Sequence, residues 1–202
     1  MNAPPGQMQR MSVFFLLSDA GSTETLDDVL AFTNRDRFRP IAGYKTLSTH
    51  WHLAYTVQAL EHGFDWTPPF KPVLKAMGVD ASIIMDFHGD GHPRDLTDVR
   101  LEELDAYFGA LRAQSDEDFL LIPSEEANVH LGGHWAVTFP KPVYWFMDRP
   151  EGGAFEMPHA EYGTVYSTAD AAELLDLVRR EGGFMYQTHP RTKGSTGFPD
   201  RI

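Results

Sequence analysis

The stretch Ile83–Pro93, reading Ile-Ile-Met-Asp-Phe-His-Gly-Asp-Gly-His-Pro, constrains the fold of this chain more than any other. A short apolar run of strand type ends in two acids, two histidines and two glycines. An interior segment therefore carries its charged and imidazole groups to one end and hands them to a loop. Burying such groups is costly unless something pairs with them. Tyr44–Thr49 repeats the pattern by delivering His50-Trp51-His52, Phe119–Ile122 by leading into Pro123-Ser124-Glu125-Glu126, and Phe184–Thr188 by ending at His189-Pro190.

Between these strands the chain reads as helices and turns. Ser12–Leu17 is a further candidate strand, and Ser22 or Thr23 can cap a helix over Thr25–Thr33, with Glu24, Asp27 and Asp28 at its start. Helices are expected over Leu53–His62 and Val73–Met77, the latter ended by Gly78. The apolar positions Leu96, Val99, Leu104, Tyr107, Phe108 and Leu111 predict a helix opened by Asp95 or Thr97 and running to about Gln114. Ala81–Phe87, Trp135–Phe139 and Val143–Phe146 read as strands, and Asp148–Gly163 as irregular chain. A capping box of Ser167 and Asp170 predicts a helix across Ala169–Glu181, with Leu174, Leu175 and Val178 as its buried stripe. Strand and helix alternate, which predicts an α/β fold of βαβ units in a parallel sheet or barrel.

In parallel α/β architectures the carboxyl ends of the strands face one way, so His50 and His52, Asp86 and His88, Glu126, and His189 are expected to converge there. Two histidines at i and i+2 on a strand share a face, while Trp51 turns into packing. No cysteine is present, so a metal site here uses His, Asp and Glu, with zinc, manganese or iron as candidates. The formal net charge of −12 argues against a nucleic acid as main partner. No apolar run approaches the roughly 20 residues needed to span a bilayer. The default expectation is a soluble cytoplasmic protein acting on a small molecule, with homo-oligomerisation left open. Each piece has a plainer reading: His-x-His as surface decoration, Glu125-Glu126 as solvated carboxylates, Asp90 and His92 as turn residues, His130 and His134 as supports of a tight loop. Their joint occurrence favours a metal site.

Taken together, these motifs resemble the PHP superfamily (polymerase and histidinol phosphatase). His50-Trp51-His52 is similar to its opening His-x-His, Ile83–Asp90 to its second motif, and Glu126 followed by Gly133-His134 to its third. Gly182-Gly183 through His189-Pro190 resembles its later Gly-Gly and His-Pro elements. The arrangement is most similar to the carbaryl-hydrolase branch and spans about Tyr44 to Arg191. The resemblance implies a distorted (β/α)7 barrel and divalent cations, roughly one to three, held by His50, His52, Glu126, His134 and His189, with Asp86 in the metal shell. Two departures stand out. Phe87 intervenes between Asp86 and His88, where the family usually has Asp followed directly by His, and the terminal Asp-x-His of the family is missing. The implied barrel continues past Ile202, so the chain is expected to be a fragment. It divides into residues 1–43, with no counterpart in the family, and a truncated metallohydrolase domain over 44–202.

The implied activity is metal-dependent hydrolysis of phosphoester or carboxyl/carbamate ester bonds, the bound cation acidifying its water and polarising the attacked oxygen. His88 or Asp86 is the candidate proton acceptor. His130 and His92 are candidates to orient substrate or protonate the leaving group. Arg191 and Lys193 are candidates to hold an anionic substrate, or else form an exposed basic tail. The competing expectation is a catalytically incomplete metal-binding module, or a subunit of a larger assembly.

Overall fold

The computed structural model describes residues 15–32, 37–52, 70–88, 96–127, 130–132 and 134–188, without the side chains of residues 22, 23 and 86–88. The expected helix Leu53–His62, His92, His189, Arg191, Lys193 and the start of the first candidate strand lie outside them. The chain divides into two compact units, Met1–Arg37 and Phe38–Ile202. In the first, Phe15–Leu17 is not a strand; helix α1 spans Ser22–Phe32.

The second unit is mixed α/β. Its elements in order are β1 (Leu47–Trp51), α2 (Phe70–Ala76), β2 (Ala81–His88), α3 (Asp98–Gln114), β3 (Leu120–Ala127), β4 (Trp135–Thr138), β5 (Tyr144–Phe146), β6 (Glu156–His159), β7 (Gly163–Ser167), α4 (Ala171–Arg180) and β8 (Phe184–Gln187). A five-stranded sheet has the order β1-β2-β3-β4-β8, and a three-stranded sheet the order β5-β7-β6. Strands β1, β2 and β3 are parallel, as the alternation predicts. β4 runs antiparallel to both β3 and β8. The reason is length: residues 128–134 are too few for the crossover of about a dozen residues that a parallel connection needs. Two reversals return β8 to the direction of β3. The carboxyl ends of β1, β2, β3 and β8 therefore share one rim with the amino end of β4. The sheet curls far enough for the hydroxyls of Thr49 on β1 and Tyr186 on β8, its two edge strands, to hydrogen-bond.

Helix α3 packs on β3 through Leu104, Tyr107, Ala110 and Leu111, which join Ile84, Phe119 and Leu121 in one core. The expected stripe needs one correction: Val99 is 55% exposed, and Arg100 and Leu101 are buried instead. At 100° per residue Val99 points within about 20° of buried Ala110, so its exposure comes from its place in the first turn, where that side is uncovered, and not from the helical period. In α4 the period itself buries Leu174, Leu177 and Val178 and leaves Leu175 outside. Its N-cap is Asp170, which accepts from the Glu173 backbone N–H at 2.9 Å, while the Glu173 carboxylate accepts from Ala169 N at 2.7 Å. The capping box thus sits three residues later than Ser167 suggests.

Segment 148–163, read as irregular, contains β6 and the first residue of β7. Three of the four β6 residues are exposed, so no apolar alternation betrays the strand, and Pro158 is tolerated because β6 lies at a sheet edge. β3 likewise continues through Pro123 to Ala127. Among the described residues no helix is long and apolar enough to cross a membrane.

Candidate metal centre

The site is built around Glu126, whose side chain is 1% exposed near the end of β3. One carboxylate oxygen, Oε2, lies 3.2 Å from His50 Nε2 and 2.8 Å from His52 Nε2. The other, Oε1, accepts from His134 Nδ1 at 2.9 Å and from the Thr188 hydroxyl at 2.9 Å. Thr188 is held in turn by its backbone N–H, which donates to His134 O at 3.1 Å. Five residues from four strand ends therefore meet on one rim.

The two histidines of β1 do not converge by simple strand alternation. The pairing of β1 with β2 shifts register between Ser48 and Trp51, and His50 adopts φ +70°, in the left-handed region. This kink turns both imidazoles toward Glu126, their rings 4.8 Å apart and nearly perpendicular. Backbone strain of this kind costs about 1–3 kcal/mol and gathers at functional sites. Trp51 faces packing instead, stacked on Phe70 and donating from Nε1 to the Ser48 hydroxyl at 2.8 Å.

Proton placement tests whether the group suits a cation. His52 Nδ1 is 2.6 Å from Met85 O, and a carbonyl only accepts, so Nδ1 carries the hydrogen. In the neutral imidazole Nε2 is then a lone pair, facing a carboxylate oxygen at 2.8 Å. Two electron-rich atoms at that distance call for a positive charge on or between them. An imidazole whose second nitrogen donates to a backbone carbonyl is also the usual arrangement of a metal-ligating histidine. The donor atoms of His50, His52 and Glu126 all lie within 4.8 Å of one another, so this group can hold a metal ion. The His50–Glu126 edge of 3.2 Å is near the roughly 3.3 Å that tetrahedral ligation at about 2.0–2.1 Å produces, and the His52–Glu126 edge of 2.8 Å is shorter than that. Burial acts to raise the Glu126 carboxyl's pKa, but the Thr188 hydroxyl and the neighbouring His50 and His134 imidazoles outweigh it and hold it down at about 2. The carboxylate is thus ionised and available.

Of the other residues singled out from sequence, Asp86 and His88 lie on the backbone of β2, with His88 registered against Glu126. His130, at φ +65°, is engaged elsewhere: its Nε2 lies 3.1 Å from Thr168 O and 3.2 Å from the Thr168 hydroxyl. Glu125 is not a solvated carboxylate. It is buried and takes hydrogen bonds from Arg100 Nη2 and Trp145 Nε1, each at 2.6 Å. Sequence reasoning missed Thr188 as a partner of Glu126, although it directly follows β8. A cavity of about 430 Å³, lined by Phe108, Phe139, Phe184 and the start of β3, opens at the opposite end of the sheet and contains none of these ligands. Comparison with family models, curated proteins and solved structures finds no match to this chain.

Proposed function

We propose that this chain is a metal-dependent hydrolase of the PHP type, cleaving phosphoester or carboxyl/carbamate ester bonds of a small molecule. What carries the reading is the meeting of His50, His52 and Glu126 at one rim, their donor atoms all within 4.8 Å of one another. His50, His52 and Glu126 would hold the cation. His134 and Thr188 keep Glu126 Oε1 engaged, so that Oε2 faces the two imidazoles. When bound, zinc, manganese or iron supplies Lewis acidity, acidifying water and polarising the attacked oxygen. Asp86 and His88, at the end of the neighbouring strand, are the proposed proton acceptors. His189, one residue past Thr188, is proposed as a further ligand.

The test is elemental analysis of metal per chain before and after chelation, with turnover measured on a panel of phosphoesters and carboxyl and carbamate esters. Stoichiometric metal, metal-dependent turnover, and loss of both in Glu126→Gln are expected. Metal uptake without turnover of any ester would leave a binding module in place of an enzyme. A wild-type chain that takes up no divalent ion would overturn the proposal.

A further inference from the structure

Helix α3 reaches Glu126 through two side chains that metal binding itself does not use. Arg100 and Tyr107 stand two turns apart on one helix face, and both are fully buried. The Tyr107 hydroxyl is wedged into the ladder between β2 and β3. It accepts from Ser124 N at 3.1 Å and donates its single proton to Ile84 O at 2.5 Å, the nearer of two carbonyls, with Ser124 O at 3.0 Å. This is where Pro123 has no N–H to give and where the register of the two strands shifts, between Ile84 and Phe87. One residue further on, Arg100 Nη2 donates to Glu125 Oε2 at 2.6 Å while its Nε donates to Trp145 O at 2.9 Å.

The two residues before Glu126 are thus both fastened to α3, Ser124 by its backbone and Glu125 by its carboxylate. Side chains alternate along a strand, so a strand end held at Glu125 on one face presents Glu126 on the other, toward His50 and His52. We propose that Tyr107 and Arg100 are positioning residues for the metal centre: they set where Glu126 Oε2 stands opposite the two imidazoles, and with it the affinity for a divalent cation. This rests on the metal reading above. Held geometry matters because a site displaced by about 0.5 Å loses its fit to the ion.

Tyr107→Phe keeps the ring and removes the wedge hydroxyl, and Glu125→Gln keeps the shape and loosens the hold of Arg100. Leu177→Ala, in the separate core under α4, is the control for stability lost elsewhere. The full chain, stripped by chelation, is titrated with Zn²⁺ by calorimetry. In parallel, the imidazole nitrogens of His50, His52 and His134 are observed by long-range proton–nitrogen NMR in the metal-free protein. We expect Zn²⁺ binding about 10–100-fold weaker in Tyr107→Phe and Glu125→Gln, with shifted imidazole resonances, and neither change in Leu177→Ala. Wild-type affinity and unshifted imidazoles in both variants, with melting lowered as in the control, would reduce α3 to a structural support. If the wild type binds no Zn²⁺, the metal reading fails, and the imidazole spectra alone decide whether α3 places Glu126.

Discussion

Removing the buried guanidinium of Arg100 is the sharpest perturbation this fold offers. Arg100 is 0% exposed and Glu125 5% exposed, and they meet at 2.6 Å with the Trp145 indole beside them. In Arg100→Met the Glu125 carboxylate stays buried, with Trp145 Nε1 as its remaining hydrogen-bond donor of those two, and Trp145 O loses the donor it had in Arg100 Nε. Breaking a buried ion pair from one side costs about 3–5 kcal/mol, because a charge is left without its counter-charge. For a chain of this size each kcal/mol lowers the melting temperature by about 2–4 °C, so a fall of about 6–20 °C is expected. Arg100→Met combined with Glu125→Gln should recover most of the loss: neither member of the pair then leaves a charge without its counter-charge, and the amide oxygen still accepts from the indole. Urea titration with calorimetric melting of wild type, both single variants and the double variant gives the cycle. A single Arg100→Met within about 1 kcal/mol of wild type, or a double variant no better than the single, would refute the reasoning.

Other tests follow from the same structure. Thr188→Val removes one donor to Glu126 Oε1 and is expected to weaken metal binding about 10–100-fold with circular dichroism unchanged; unaltered affinity would remove Thr188 from the site. Gly183→Ala places a Cβ 2.7 Å from Phe139 Cδ1 and 2.8 Å from Thr138 O, so it should destabilise by about 1–3 kcal/mol in urea titration, and an unshifted midpoint would show that this turn yields freely. The Lys71 ammonium holds the Asp116 carboxyl at about 2, below its ordinary 3.8. That contribution is complete above about pH 4 and lost as pH falls toward 2. The acid transition of Asp116→Asn should therefore be shallower between those values, and curves that superimpose would count against the pair.

How far the sequence could be read differs from feature to feature. Strands β2 and β8 and helices α3 and α4 are legible because apolar period and end signals are local. The buried stripes were misplaced at Val99 and Leu175, since a helix shows which positions are apolar but not which parts of it its neighbours cover. β6 was invisible because an exposed edge strand needs no apolar alternation. Glu125 and Glu126 look identical in sequence, yet one is fastened to Arg100 and the other faces His50 and His52. Only strand alternation within a folded sheet separates them.

The sequence by itself determined the chemical types gathered at the strand ends, imidazole and carboxylate without thiolate, and the α/β character of the chain. Both depend only on residue identity and short-range periodicity. The tertiary structure alone decided that β4 runs backward, that a left-handed residue at His50 turns two imidazoles inward, and that Thr188 and His134 fix the carboxylate they meet. Those outcomes depend on which strands become neighbours and how the sheet curls, distances across space that no local pattern encodes.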